Sequence, residues 1–317
     1  MLGKARRLAM APLLLLLSAC GLMRCTPEPL DGQSVTALYE TPLPPPSEPL
    51  AIYHLGHSLV ARDMPAMLAQ LADAGHRYDS QLGWGTSLKN HWKGDINGFD
   101  VENDHPRYRN AKEALESGDY DAFIMTEMVE IRDAIQYHDS WDYAHRWASR
   151  ARDGRPDIRV YLYETWHNTD DPEGWLTRID RDLERYWERE ILDRAMAADA
   201  SPTPIYVIPA GQVMAGFIRA LEKRGGVDGL TGVSSLFATN DKGDQDTIHI
   251  NDIGAYLVAL THYSVLYHRT PVGLPHALRK ADGTPAVAPG AAAAQLMQEI
   301  VWDVVRRHPR TGMAQAE

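Results

Sequence analysis

Beginning at residue 50, short apolar runs alternate with longer stretches of helical periodicity, and this constrains the fold more than any other feature of the 317-residue chain. The runs at 51–55, 77–82, 121–126, 158–163 and 204–208 read as buried strands. Between and after them, 64–74, 107–116, 140–151, 174–198, 211–223 and 252–267 read as helices, the last capped by Asn251 or Asp252. Strands and helices in strict alternation imply a parallel sheet covered on both faces. The expected fold is therefore a three-layer α/β/α domain with a five-stranded parallel sheet over 50–275. Residues 276–290 read as a loop and 291–305 as one more amphipathic helix, a C-terminal extension spanning 276–317.

The front of the chain has a different character. Lys4, Arg6 and Arg7 precede an apolar core at 13–17, and Leu17-Ser18-Ala19-Cys20 follows, which resembles the bacterial lipobox. The apolar stretch is too short to span a bilayer comfortably, so 1–19 reads as a cleavable signal and Cys20 as the acylated residue. Gly21 rather than Asp after the Cys points to sorting to the outer membrane, with the protein lipid-anchored there. Residues 20–49 hold Pro27, Pro29, Pro42, Pro44, Pro45, Pro46 and Pro49, a composition that favours extended geometry and reads as a tether. Cys20 and Cys25 are the only cysteines, so the domain relies on its core rather than on disulfides. A net charge of −11 without a clustered basic run argues against nucleic acid as a partner. No glycine-rich nucleotide fingerprint follows any strand, and no cofactor is expected.

In open α/β sheets ligands bind at the carboxyl ends of the strands. After the first strand stands Gly56-His57-Ser58-Leu59, where a serine can present its hydroxyl above the sheet. Serine needs an adjacent base to become a nucleophile. One is available in Asp246-Thr247-Ile248-His249, where a single turn would present both side chains just ahead of the last helix of the sheet. The carboxylate could then orient the imidazole while its other nitrogen faces Ser58. Taken singly, Ser58 reads equally as a helix cap, and Asp246 with His249 as a polar turn.

Together, a G-x-S-L block after strand one and a D-x-x-H block before the last helix resemble the SGNH (GDSL-like) hydrolases, over roughly residues 50–275. The resemblance implies a flavodoxin-like fold and ester cleavage through an acyl-enzyme. Ser58 would be the nucleophile, His249 the base and Asp246 its orienting acid, with the N–H groups of Ser58 and Gly85 holding the oxyanion. Gly85 is the first choice within Gly83-Trp84-Gly85-Thr86-Ser87-Leu88, and Gly83 the second. Two departures matter. His57 stands where the family's first block has Asp, and Thr126-Glu127-Met128-Val129-Glu130 lacks the Asn that donates to the oxyanion in its third block. Thr126, His167 and Asn168 are the candidates to replace that donor.

The strand-four end, Tyr163-Glu164-Thr165-Trp166-His167-Asn168, reads either as a pocket lining or as a half-buried strand end. Glu127, Glu164, His167 and Asn168 are accordingly the pocket candidates. A rival metal site would draw on His54, His57, Glu164, His167 and His249. The charged residues from Arg178 to Arg194 read as a solvated helix face. The expected substrate is an acylated carbohydrate of the envelope or beyond it, with a lipid ester second. The alternative is a binding lipoprotein with a decayed esterase pocket.

Overall fold

The computed structural model describes residues 26–240 and 242–315. The proposed signal and the Cys20 acylation site lie outside those residues. Five parallel strands form one sheet: β1 (Ala51–Leu55), β2 (Arg77–Gln81), β3 (Ala122–Met125), β4 (Arg159–Glu164) and β5 (Tyr206–Pro209), in the order β2-β1-β3-β4-β5. This is the flavodoxin-like order, and its direction of winding reverses between β1 and β3.

Side chains alternate across the central strands with the period of two that a sheet imposes. Ile52, Ile124, Tyr163 and Ile208 enter the core on one face, whereas Tyr53, Phe123, Leu162 and Val207 enter the core on the other. Both faces are covered, so these strands are largely apolar, with His54 in β1 and Arg159 and Glu164 at the ends of β4 as the exceptions. The first core is closed by the helices Asp63–Leu71, Ala210–Arg224, Asp252–Tyr267 and Ala291–Arg307. The second is closed by Ala111–Glu116, Ile131–His138, Ser140–Gly154 and the later part of the long segment from Trp175 to Ala197, whose first turns instead place Trp175 and Ile179 in the first core. That segment is one helical body as expected, but its middle, Leu183–Asp193, is π-helical. Trp187, Ile191 and Ala195 recur every four residues, a spacing that suits either hydrogen-bonding pattern.

Three expectations are corrected. The proline-rich stretch is not a free tether from residue 26 onward. It contains the helix Gly32–Tyr39, capped by Asp31, and it is docked: Tyr39 donates to the Ile205 carbonyl at 2.7 Å and Arg159 to the Pro44 carbonyl at 2.7 Å. The prolines cluster on either side of residues 30–41, so they do not obstruct a helix there. Nor is 276–317 an appendage, because Met297, Val301 and Val305 are fully buried in the first core. Finally, Asp246 and His249 lie on a strand rather than in a plain turn: β7 (Gln245–Ile250) pairs antiparallel with β6 (Phe237–Thr239). Among the described residues, no helix is long and apolar enough to cross a membrane.

Candidate active site

The position of Ser58 follows from how β1 ends. The Gly56 N–H continues the ladder by donating to the Gln81 carbonyl at 3.2 Å. A Cβ at Gly56 would come within 2.7 Å of both Thr126 Cγ2 and Val60 Cγ2, so only glycine lets the chain turn here. His57 then points inward and Ser58 outward, half-buried. The His57 ring donates from Nε2 to the Glu127 carbonyl at 2.8 Å, and its Nδ1 accepts from the Leu59 N–H at 3.3 Å. Burial pushes its pKa down to about 4, which keeps it neutral. From the other side His91, pushed by burial down to about 3, donates from Nε2 to the Gly56 carbonyl at 2.8 Å. The Tyr163 hydroxyl reaches the Leu59 carbonyl at 3.2 Å. Ser58 is thus held by a turn whose backbone is braced from three strands.

His249 and Asp246 arrive on the β6–β7 hairpin. Asp246 Oδ1 accepts from the N–H groups of Ile248 and His249, both at 2.8 Å, a local turn that breaks the alternation of the strand. The two side chains consequently meet on one side, with Asp246 Oδ2 2.9 Å from His249 Nδ1. His249 Nε2 lies 3.0 Å from Ser58 Oγ. With the ring proton on Nδ1, facing the carboxylate, Nε2 is left to accept from the serine hydroxyl. Partial burial tends to raise the Asp246 carboxyl, but the two N–H donors and the imidazole outweigh it and hold the group below the ordinary carboxylate range. The hairpin is tied down by the post-β4 loop. Trp166 donates to the Ile248 carbonyl at 2.8 Å, the Thr169 N–H to the Thr247 carbonyl at 2.8 Å, and Thr247 Oγ1 to Asn168 Oδ1 at 3.2 Å. Asn251, not Asp252, caps the following helix, accepting from the N–H groups of Ile253 and Gly254.

Ser58 and His249 border a cavity of about 630 Å³ together with Trp84, Gly85, Glu102, Val129, Asn168 and Ile248. Gly85 adopts φ +53 and faces open space, whereas a Cβ at Gly83 would strike Thr86 and Ile96. Gly85 therefore borders the cavity beside Ser58 and His249, and Gly83 only shapes the turn. Among the described residues, no protein group accepts from the N–H of Ser58 or of Gly85.

Of the four pocket candidates the structure places only Asn168 in this cavity. Glu127 is wholly buried and turned away, its Oε1 accepting from the N–H groups of Met128 at 2.8 Å and Leu88 at 3.2 Å; burial raises it to about 7. Glu164 is buried against Gln212, with its carboxyl raised by burial to about 8. His167 is buried beside Arg178 and Asp182, and burial pushes it down to about 4. Thr126 spends its hydroxyl on the Tyr163 carbonyl at 2.8 Å. Each is drawn inward because the sheet ends are overlaid by loops rather than open to solvent. Arg178 is likewise buried, bonded to Asp182 at 2.6 Å and paired with Asp171 and Glu130, so the charged helix face is in part an interior cluster.

The rival metal ligands do not converge. His54 packs against Tyr78 and His262 in the first core, His57 bonds Glu127, and His249 faces Ser58. Among the described residues, no group of three or more His, Cys, Asp or Glu side chains is arranged to hold a metal ion. Sequence reasoning missed His91, whose bond to Gly56 reaches over from the helix Leu88–Lys93, and Trp84, a residue 51% exposed that lines the same cavity as Ser58.

No family model and no curated protein matches the chain. Among solved structures it is similar to a DUF4886 family protein from Bacteroides uniformis. That chain is 15% identical with a TM-score of 0.50, over 81% of this chain and 95% of the other. At that identity the likeness speaks for the fold alone.

Proposed function

We propose that the protein is a serine ester hydrolase, akin to the SGNH hydrolases, and that the Ser58–His249–Asp246 relay carries the reaction. The observation that carries this reading is the continuous hydrogen-bonded line from Ser58 Oγ through His249 to Asp246, at 3.0 and 2.9 Å. Ser58 Oγ attacks the acyl carbonyl as its proton passes to His249 Nε2, and Asp246 stabilises the imidazolium. The proton then goes to the departing alcohol, leaving Ser58 acylated. Water activated by the same imidazole releases the acid and regenerates the serine.

The tetrahedral oxyanion is held by the free N–H groups of Ser58 and Gly85. Asn168 serves as the third donor, standing in for the Asn missing after β3. Its Oδ1 is engaged by Thr247, which leaves Nδ2 for the cavity it lines. Glu127 cannot take that role, since its carboxyl is buried away from the cavity. The domain would be carried on the outer membrane by lipid at Cys20, and its ester is that of an acylated carbohydrate.

The test is release of acetate from a small activated acetyl ester, measured beside Ser58→Ala and His249→Ala. Loss in both variants with unchanged circular dichroism is expected. Equal, negligible rates in all three would instead support a non-catalytic envelope lipoprotein that binds carbohydrate.

A further inference from the structure

Trp84 is the most exposed tryptophan side chain at the cavity, and it is held in place rather than left loose. Its indole N–H donates to Glu102 Oε1 at 2.7 Å, and its backbone N–H donates to the Asn97 carbonyl at 2.8 Å. One face of the ring rests on Gly98, where a Cβ would come within 2.3 Å of Cδ2. Gly98 sits at φ +69, so glycine is favoured there both by conformation and by contact. The ring is 51% exposed and borders the same cavity as Ser58 and His249. A large apolar surface left in water and pinned against rotation has no role in the core, which it does not touch.

Ser58 and Glu102 also border a second cavity of about 540 Å³, lined by Arg62, Asp104, His105, Lys280 and Asp282. The cleft through Ser58 thus has an aromatic side and a side dense in hydrogen-bonding groups. A fatty acyl chain or a plain alkyl alcohol would leave the polar side unpaired on binding, at a cost for each desolvated group. A sugar chain satisfies both: the C–H face of a pyranose ring lies on an indole, and its hydroxyl rim meets carboxylates and cations.

We infer that Trp84, fixed by Glu102 and Gly98, is the platform on which the acylated pyranose of a glycan stacks, with the neighbouring sugar unit in the Arg62–His105–Lys280 cavity. This rests on the esterase reading for its placement of the ester carbonyl at Ser58, but binding alone can test it.

Two measurements separate the two ideas. In the first, the purified protein is assayed by pH-stat on ethyl acetate and on O-acetylated oligosaccharides of glucose, mannose and N-acetylglucosamine. Trp84→Ala should lower kcat/KM on the preferred oligosaccharide about tenfold more than it lowers that on ethyl acetate. Gly98→Ala, which pushes the ring from its seat, should act in the same direction. In the second, Ser58→Ala is titrated with the same oligosaccharides while tryptophan fluorescence is followed, and the signal change should vanish in Ser58→Ala/Trp84→Ala. Ethyl acetate hydrolysis without any preference for the glycans, or equal losses on both substrates in Trp84→Ala, overturns the platform and leaves the esterase standing. Glycan binding through Trp84 without any hydrolysis does the reverse.

Discussion

His57, His91 and Asn168 show how single residues set the chemistry without taking protons in it. The two histidines are neutral donors that fasten the Gly56–Leu59 turn to β2 and β3. Replacing His57 with alanine leaves the buried Glu127 carbonyl without its donor, which costs about 1–3 kcal/mol and should show as a lowered Tm with a reduced kcat. If Asn168 donates to the oxyanion as proposed, Asn168→Ala should lower kcat on the activated ester by about a hundredfold with little change in KM. Glu127 makes a prediction of another kind. Its carboxyl titrates at about 7 in the folded chain against an ordinary 4.5, so the fold keeps a proton that the unfolded chain releases. Its contribution is complete below about pH 4.5 and is lost as the pH climbs through about 7. Thermal melts should therefore show the Tm of the wild type declining across that window more than the Tm of Glu127→Gln. Ser58, Asp246 and His249 were legible in the sequence because each stands in a short block whose neighbours have definite turn chemistry. Glu127, Glu164 and His167 misled because residue type alone does not say which side of a strand end is roofed by a loop.

Two elements position His249. The β6–β7 hairpin carries Asp246 and His249, and the post-β4 loop beneath it supplies Trp166, Asn168 and Thr169 as its supports. That loop is in turn gathered by Arg178, which reaches His167, Asp171 and Glu130 from the helix Trp175–Asp182. Taking the guanidinium away removes the Oδ2 partner of the buried Asp182 carboxylate and leaves Arg181 on Oδ1. Arg178→Leu should destabilise the fold by about 3 kcal/mol in denaturant melts and lower kcat through the displaced hairpin. The hairpin itself was not foreseen. A two-stranded ribbon with mixed exposure has no run of alternating apolar residues, and Thr247, Ile248 and Ile250 are too few to announce a strand amid Asp246, His249 and Asn251. The core strands were plain for the opposite reason, being apolar on both faces.

At the scale of the molecule, the described residues before β1 and after the helix Ala291–Arg307 finish the domain rather than trail from it. The Arg310 carbonyl accepts from Val207 at 2.8 Å along the open edge of β5, and the Gly312 carbonyl accepts from Leu43 at 2.8 Å. This covers an edge that would otherwise invite pairing with another chain. Tyr39→Phe, which strips the Ile205 carbonyl of its donor, should lower stability by about 1 kcal/mol in denaturant melts while leaving activity intact. Residues 26–50 run beneath the sheet: Pro27 touches Arg194 at the foot of the long helix, Tyr39 meets Ile205 just before β5, and Pro44 meets Arg159 at the start of β4. All these contacts lie at the amino ends of the strands, whereas Ser58 stands at the carboxyl end of β1. A chain acylated at Cys20 would therefore meet the bilayer with one pole and hold its cleft at the other, out of reach of the lipids that carry it and turned toward whatever polymer lies beyond.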